Sequence, residues 1–341
     1  MSDTSMNDSE PEDTPEDSAV PIEPSDLLQL QGHLLGAADI RRIAAEAGIT
    51  PTKKFGQNFV IDPGTVRRIV RKAHVDMGDQ VIEVGPGLGS LTLALLEAGT
   101  EVTAIEIDPP VADRLPRTVA EYMPEAFGRL AVLNADALRA TPGMLSVNVP
   151  TFDATRPTTL VANLPYNVAT PIVLTMLEHF PNLGSFLVMV QKEVADRLAA
   201  EPGSKIYGTP SVKLAWYGTA RTVGQIGRNV FWPAPNVDSA LVLFERYDPF
   251  SPAGMRASDT RLRMRTFELI DAAFGQRRKT LHAALKKEVP EGTFERAGID
   301  PTRRGETLTI DEFVALALAA DELRAEAKAA GRDAGDGTTT D

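Results

Sequence analysis

No cysteine occurs anywhere in the 341 residues of the chain. That absence removes disulfides, thiolate metal sites and a cysteine nucleophile, and it suits a reducing compartment. Nor does any uninterrupted apolar run approach the ~18 residues of a membrane span. The first residues are acidic and polar, without the basic and apolar regions of a secretory signal. A cytoplasmic protein with no membrane partner is expected. Histidine is scarce as well: His33, His74, His179 and His282 are the four in the chain, and none falls in a segment that reads as a site.

The formal net charge is −12, but the acidity sits at the ends. Residues 1–40 hold ten acids and no Lys or Arg, and residues 321–341 hold six acids against three bases. Taking away those −10 and −3 leaves +1 for residues 41–320. An acidic chain is then no argument against a nucleic-acid partner. The length suits one large and one small domain. We expect a disordered acidic extension over 1–36, an α/β catalytic domain over 37–248, a helical domain over 249–320 and a flexible tail over 321–341. Pro249, Pro252 and Gly254 mark the linker between the two domains.

The first informative unit starts at Gln80. Gln80 to Glu83 reads as a buried strand that feeds Val84-Gly85-Pro86-Gly87-Leu88-Gly89-Ser90. A helix over Leu91–Ala98, capped by Gly99, and a second strand over Glu101–Ile107 complete a βαβ unit. Glycines let the backbone turn sharply beside a ligand, and the helix start offers free N–H groups. An acid at the end of the second strand can take both ribose hydroxyls; Glu106 and Asp108 both fit. The glycines read G-x-G-x-G, not the G-x-G-x-x-G that seats a helix under a pyrophosphate, and Glu83 stands two residues before the first. The pattern favours S-adenosylmethionine (SAM) over NAD, with a structural tight turn as the bland alternative. Asp136, beyond a third strand over Arg129–Leu133, is placed to accept from an adenine amine or to be an ordinary helix N-cap.

The second unit is Leu160-Val161-Ala162, a short buried strand that ends in Asn163-Leu164-Pro165-Tyr166. An exocyclic amine on a flat base needs acceptors for its N–H hydrogens and a surface for its ring. Asn163 Oδ1 and a neighbouring carbonyl supply the first, and Tyr166 the second. Pro165 stiffens the turn and biases Leu164 away from helix. The bland reading is a strand ending in an Asx/Pro turn. Ser211–Tyr217 and Ser239–Tyr247 read as strands flanking Phe231-Trp232-Pro233, where Phe231 is either core filler or a clamp on the second face of a base. Lys53-Lys54-Phe55-Gly56-Gln57-Asn58-Phe59-Val60 reads as a packed loop, or as a lid with lysines for phosphate. The helices after Pro252 carry Gln276-Arg277-Arg278-Lys279 among other bases, which points to a polyanion or to a solvated basic face. No metal site is expected.

These segments together resemble the ribosomal RNA adenine dimethyltransferases, from about Lys53 to Ala317. The landmarks are FGQNF (55–59), EVGPGLG (83–89), IEID (105–108), NADAL (134–138), NLPYNVATPIV (163–173), FWPAPNVDS (231–239) and AFGQRRKTLHAAL (273–285). The resemblance implies an α/β fold, a Rossmann-like class I SAM-dependent methyltransferase sheet with a small C-terminal all-α domain. It implies SAM contacts at Asn58, Val60, Gly85, Gly87, Glu106, Asp136 and Asn163, and catalysis by Asn163, Leu164, Pro165, Tyr166 and Phe231. The family usually has leucine where this chain has Val60, and a backbone contact survives that change. RNA contacts are expected at Lys53, Lys54, Arg277, Arg278 and Lys279. The implied reaction is dimethylation of two adjacent adenosines near the 3′ end of 16S rRNA in the small (30S) subunit, by a monomer with a role in ribosome biogenesis. The alternatives are a 23S rRNA adenine N6-methyltransferase and a non-catalytic small-subunit assembly factor.

Overall fold

A computed structural model describes residues 33–51, 57–165 and 168–333. The acidic extension up to residue 32 lies outside the described residues, as do Lys53, Lys54 and Tyr166. In order, the elements are α1 (Ala37–Glu46), β1 (Phe59–Val60), α2 (Pro63–Ala73), β2 (Gln80–Val84), α3 (Ser90–Glu97), β3 (Glu101–Glu106), α4 (Pro109–Tyr122), β4 (Leu130–Asn134), α5 (Pro142–Asn148), β5 (Thr158–Asn163) and α6 (Ala169–His179). Then follow β6 (Leu183–Gln191), α7 (Lys192–Leu198), α8 (Thr209–Ala215), β7 (Gly218–Ile226), β8 (Phe231–Trp232) and β9 (Ser239–Arg246). The C-terminal helices are α9 (Pro252–Ala257), α10 (Thr260–Gly275), α11 (Leu281–Leu285), α12 (Thr293–Ala297) and α13 (Ile310–Asp333).

Seven strands form one sheet in the order β4-β3-β2-β5-β6-β9-β7. Strands β2 to β6 are parallel neighbours, and β9 runs antiparallel between β6 and β7. The chain lays β2, β3 and β4 outward in one direction, then returns to place β5 on the other side of β2. That reversal opens a crevice beyond the strand ends between β2 and β5, where ligands of open α/β sheets bind.

Strand periodicity divides the core into two layers. Ile82, Val84, Leu160, Ala162, Phe186, Val188, Val242 and Phe244 face one cluster, and Val81, Val161, Leu187, Met189, Leu241 and Leu243 face the other. Leu269, Ile270 and Ala273 of α10, Leu281 and Leu285 of α11, and Phe313 and Leu316 of α13 join the first cluster. The C-terminal helices thus share a continuous core with one face of the sheet. Helix α2 backs the other face with Val66, Ile69, Val70 and Ala73, a stripe of spacing three and four. It is started by Asp62, whose carboxylate accepts from Thr65 N at 2.8 Å, and by Pro63 in its first turn.

One expectation fails. Residues 211–217 are not a strand: Thr209–Ala215 is helix α8, and the strand lies beyond it as β7. Val212, Leu214, Trp216 and Tyr217 give a short apolar run that periodicity alone cannot assign. The start signal decides it, with Pro210 in the first turn and Ser211 Oγ accepting from Gly208 N at 3.1 Å. Of the segment 321–341, an Ala/charged stretch that reads as a helix end fraying into Gly/Thr, the part up to Asp333 belongs to helix α13. Arg296 on α12 holds it through Glu326, and Arg324 Nη2 donates to the Glu288 carbonyl at 2.5 Å.

Candidate active site

A cavity of about 330 Å³ occupies the crevice at the β2/β5 reversal. Its wall contains Asn58, Val60, Gly85, Gly87, Glu106, Asp136, Asn163, Leu164 and Pro165. Nine positions expected as site residues, drawn from five separate segments, thus meet in one hollow. Tyr166, the next residue along, lies outside the described residues.

The floor comes from the turn after β2. Gly85 N donates to the Ile105 carbonyl at 2.9 Å, which ties the turn to β3. Gly87 has φ 57°, and a Cβ there would sit 2.9 Å from Phe59 Cδ1, too near for any side chain. Glycine is required at this point by its left-handed backbone and by the lid residue pressed on it. Phe59 and Val60 pair with Trp232 and Phe231 in the two-stranded β1–β8 ribbon, and Ile61 N donates to the Val230 carbonyl at 2.8 Å. Ser90 Oγ donates to the Val60 carbonyl at 2.6 Å, and Asn163 Nδ2 to the Asn58 carbonyl at 3.1 Å. The lid segment is therefore anchored to α3, to β5 and to β8.

The electrostatics of the wall are one-sided. Among its described residues are Glu83, Glu106 and Asp136, and no Lys, Arg or His. Burial pushes the Glu83 carboxyl up to about 8; the bond from Thr92 Oγ1 at 2.6 Å opposes this, and the nearby Glu106 carboxylate adds to it. Burial also raises Glu106, against bonds from Asp108 N at 3.0 Å and Gly87 N at 3.4 Å. A cationic ligand relieves both acids. Among the described wall residues a pyrophosphate meets three acids and no counter-charge. Asp136 caps the following turn, accepting from Leu138 N at 2.9 Å, while facing the cavity. Asp136 is thus the N-cap of that turn and also part of the cavity wall. Of the two acids considered for the ribose, Glu106 lines the hollow, whereas Asp108 accepts from Gln57 Nε2 at 2.9 Å and stays out of the wall.

Not every expected residue is brought together. Phe231 is 3% exposed, lies in the core cluster behind the lid and does not line the cavity. The clamp expected there is corrected to a support, because Phe231 is the ladder partner of Val60. Far along the chain, Arg277 is engaged within the fold: Nε donates to Glu306 at 2.8 Å and Nη2 to the Lys205 carbonyl at 2.5 Å. Arg278 and Lys279 are exposed, in the turn that precedes α11.

Four residues have a place in the site that the sequence does not assign. Gln57 and Ser90 are lid ties whose distant partners have no local signature. Glu83 was noticed for its position without a role. Ile107 is a cavity-lining apolar side chain left 48% exposed at the end of β3; an apolar residue just before Asp-Pro was its only signal.

A mostly parallel sheet with a glycine turn and an acid-lined hollow, free of bases among the described residues, at its switch point is the arrangement of the class I methyltransferases, a class that uses SAM. The ribosomal RNA adenine dimethylase family model matches residues 50–322. The protein named ribosomal RNA small subunit methyltransferase A from Bifidobacterium adolescentis is 73% identical over 295 residues, which is 86% of this chain and 96% of that one. Among solved structures, a dimethyladenosine transferase from Plasmodium falciparum is 23% identical with TM-score 0.63, covering 77% of this chain and 98% of that one. The 23S rRNA methyltransferase ErmE is 24% identical with TM-score 0.57, covering 77% and 100%; at this identity both share the fold. The chain belongs to the ribosomal RNA adenine dimethylase family.

Proposed function

We propose that this protein dimethylates N6 of two adjacent adenosines near the 3′ end of 16S rRNA in the small ribosomal subunit, as a cytoplasmic monomer using SAM. The relatives at high identity carry the small-subunit name, which favours this reading over a 23S target. The likeness to ErmE is one of fold only. The observation that carries the proposal is the placement of Asn163: its amide stands on the wall of an acid-lined cavity and is oriented by a bond to the lid.

The residues present fit the methyl donor. Glu106 is suited to the ribose hydroxyls, Asp136 to the adenine amine, and the three acids together to the positive charge. Bound SAM supplies a methyl group on a cationic sulfonium, a good leaving group. The protein supplies position and electrostatics. The target adenosine leaves its stack to reach the pocket. Tyr166 covers one face of the base, a stack worth ~1–3 kcal/mol. The Pro165 carbonyl already accepts from Val168 N at 3.2 Å, so the Leu164 carbonyl is the better partner for an incoming amine. Hydrogen bonds from N6–H to Asn163 Oδ1 and to that carbonyl draw the nitrogen lone pair out of ring conjugation. The released proton passes to water at the rim. Residues 249–320 serve as the RNA-binding part, with Arg278, Lys279, Lys53 and Lys54 on phosphate.

The test is methyl incorporation into small subunits that lack the modification, followed by mapping of the modified bases. Dimethyladenosine at two adjacent positions near the 3′ end of 16S rRNA is expected. Incorporation confined to 23S rRNA, or none at all, overturns the proposal.

A further inference from the structure

A further hollow is the electrostatic opposite of the catalytic cavity. A cleft of about 370 Å³ lies between α2 and the edge strand β7. It is lined by Arg68, Arg71, Lys72, His74, Arg221 and Val223, and among its described lining residues there is no acid. Arg68, Arg71 and Lys72 stand at spacings of three and four, so they share one face of α2. Arg67 on the neighbouring face is neutralised by a two-pronged bond to Glu97 at 2.8 Å. Among the described residues the side chains of Arg68, Arg71 and Lys72 have no ion-pair or hydrogen-bond partner. Arg221 pairs with Glu245 and contributes no free charge to the groove.

A basic last turn is favourable to any helix, which accounts for Arg71 and Lys72. It does not account for Arg68 one turn earlier, whose charge repels both. Nor does it account for the groove. The register shift between Thr222 and Gly224 leaves Val223 outside the ladder of β7. A bulge at a sheet edge turns the strand and opens space beside it. A Cβ on Gly224 would sit 3.7 Å from Lys72 Cε, an ordinary contact, which places the stem of Lys72 beside the bulge. Unpaired guanidinium groups beside an ammonium in an open groove match a phosphodiester.

The position relative to the catalytic cavity suggests whose phosphates these are. Helix α2 starts at Pro63, three residues beyond the lid strand β1. The basic face lies roughly 8–14 Å along the helix axis from that start. Resting on the reading of the chain as an RNA methyltransferase, we propose that this cleft binds backbone phosphates of the substrate RNA, extending its contacts along α2 to the β7 edge of the sheet.

The test uses the full chain with the exposed changes Arg68→Gln and Arg71→Gln together, beside a control of equal charge change, Arg41→Gln with Arg117→Gln. Binding to unmethylated small subunits and to protein-free 16S rRNA is measured across salt concentrations, with the SAM dissociation constant as a check on folding. In the cleft variant the log–log salt slope flattens by roughly 1.4–1.8, the loss of two phosphate contacts, for both ligands, while SAM binding and the control hold. An unchanged slope in the cleft variant, with the parent chain binding and methylating normally, overturns the cleft alone. A loss seen with whole subunits but not with protein-free RNA assigns the cleft to an acidic ribosomal protein and overturns the RNA assignment. A parent chain that neither binds nor methylates the subunit removes both this inference and the function it rests on.

Discussion

Asn163 Nδ2 donates to the backbone carbonyl of Asn58, 105 residues away, at 3.1 Å. A carbonyl only accepts, so this contact fixes which end of the amide is nitrogen. It leaves Oδ1 as the end available to accept. One hydrogen bond therefore holds the lid down and orients the acceptor for an incoming amine.

The lid predicts the behaviour of the glycine turn. Gly87→Ala adds a Cβ where Phe59 already sits and forces a left-handed alanine. A destabilisation of ~1–3 kcal/mol is expected, read from thermal or denaturant unfolding, with weaker SAM binding by calorimetry. Gly85→Ala shares the backbone strain at φ 68°, but its Cβ has a nearest contact of 3.9 Å. It should disturb the lid less than Gly87→Ala does. Equal SAM affinity in the two variants would separate the lid from the turn.

Of the two acids at the end of β3, Glu106 lines the cavity and Asp108 does not. Glu106→Ala should weaken SAM by ~1.5–3 kcal/mol, the value of hydrogen bonds to a charged group. Asp108→Ala should act only through loss of the Gln57 bond and cost less. A larger effect at Asp108 reverses the assignment.

The buried acids predict a pH dependence. The folded-state value of Glu83 lies near 8, above its ordinary 4.5, so the folded protein holds a proton that the unfolded chain releases between those pH values. Stability of the ligand-free protein should therefore fall as pH rises through that window, and Glu83→Gln should flatten the fall. A cationic ligand favours the ionised form, so SAM binding near pH 7 should release protons. Calorimetry in buffers of different ionisation enthalpy reads this directly. No dependence on buffer argues against a protonated Glu83.

Arg277 and Arg278 should separate in their effects. Arg277 is tied to Glu306 and to the Lys205 carbonyl, so Arg277→Ala should cost stability, by no more than about 1 kcal/mol for a half-exposed pair. Arg278→Glu with Lys279→Glu should leave unfolding unchanged and flatten the salt dependence of RNA binding. The reverse pattern would move the RNA surface elsewhere.

What was legible in the sequence was local chemistry. The glycine turn, the acid ending β3, Asp136 and the Asn163 corner each carry a signature within a few residues, and each was found. The β7 strand, GTARTVGQI, was missed because an exposed edge strand need not alternate, and α8 was misread because its apolar run fits two periods. Phe231 looked like a base clamp because sequence reveals an aromatic beside prolines but not which way it packs. The ties of Ser90 to Val60 and of Gln57 to Asp108 join residues 30 and 51 positions apart, a distance at which no local pattern speaks.

The most direct test is Asn163→Ala assayed two ways on one preparation. The rate of methyl transfer to unmethylated small subunits is measured in single turnover, and the SAM dissociation constant by calorimetry. Transfer should fall by about 10²–10³ or more, as when one preorganised polar contact is removed, while SAM affinity changes by less. Transfer at the parent rate would contradict the account.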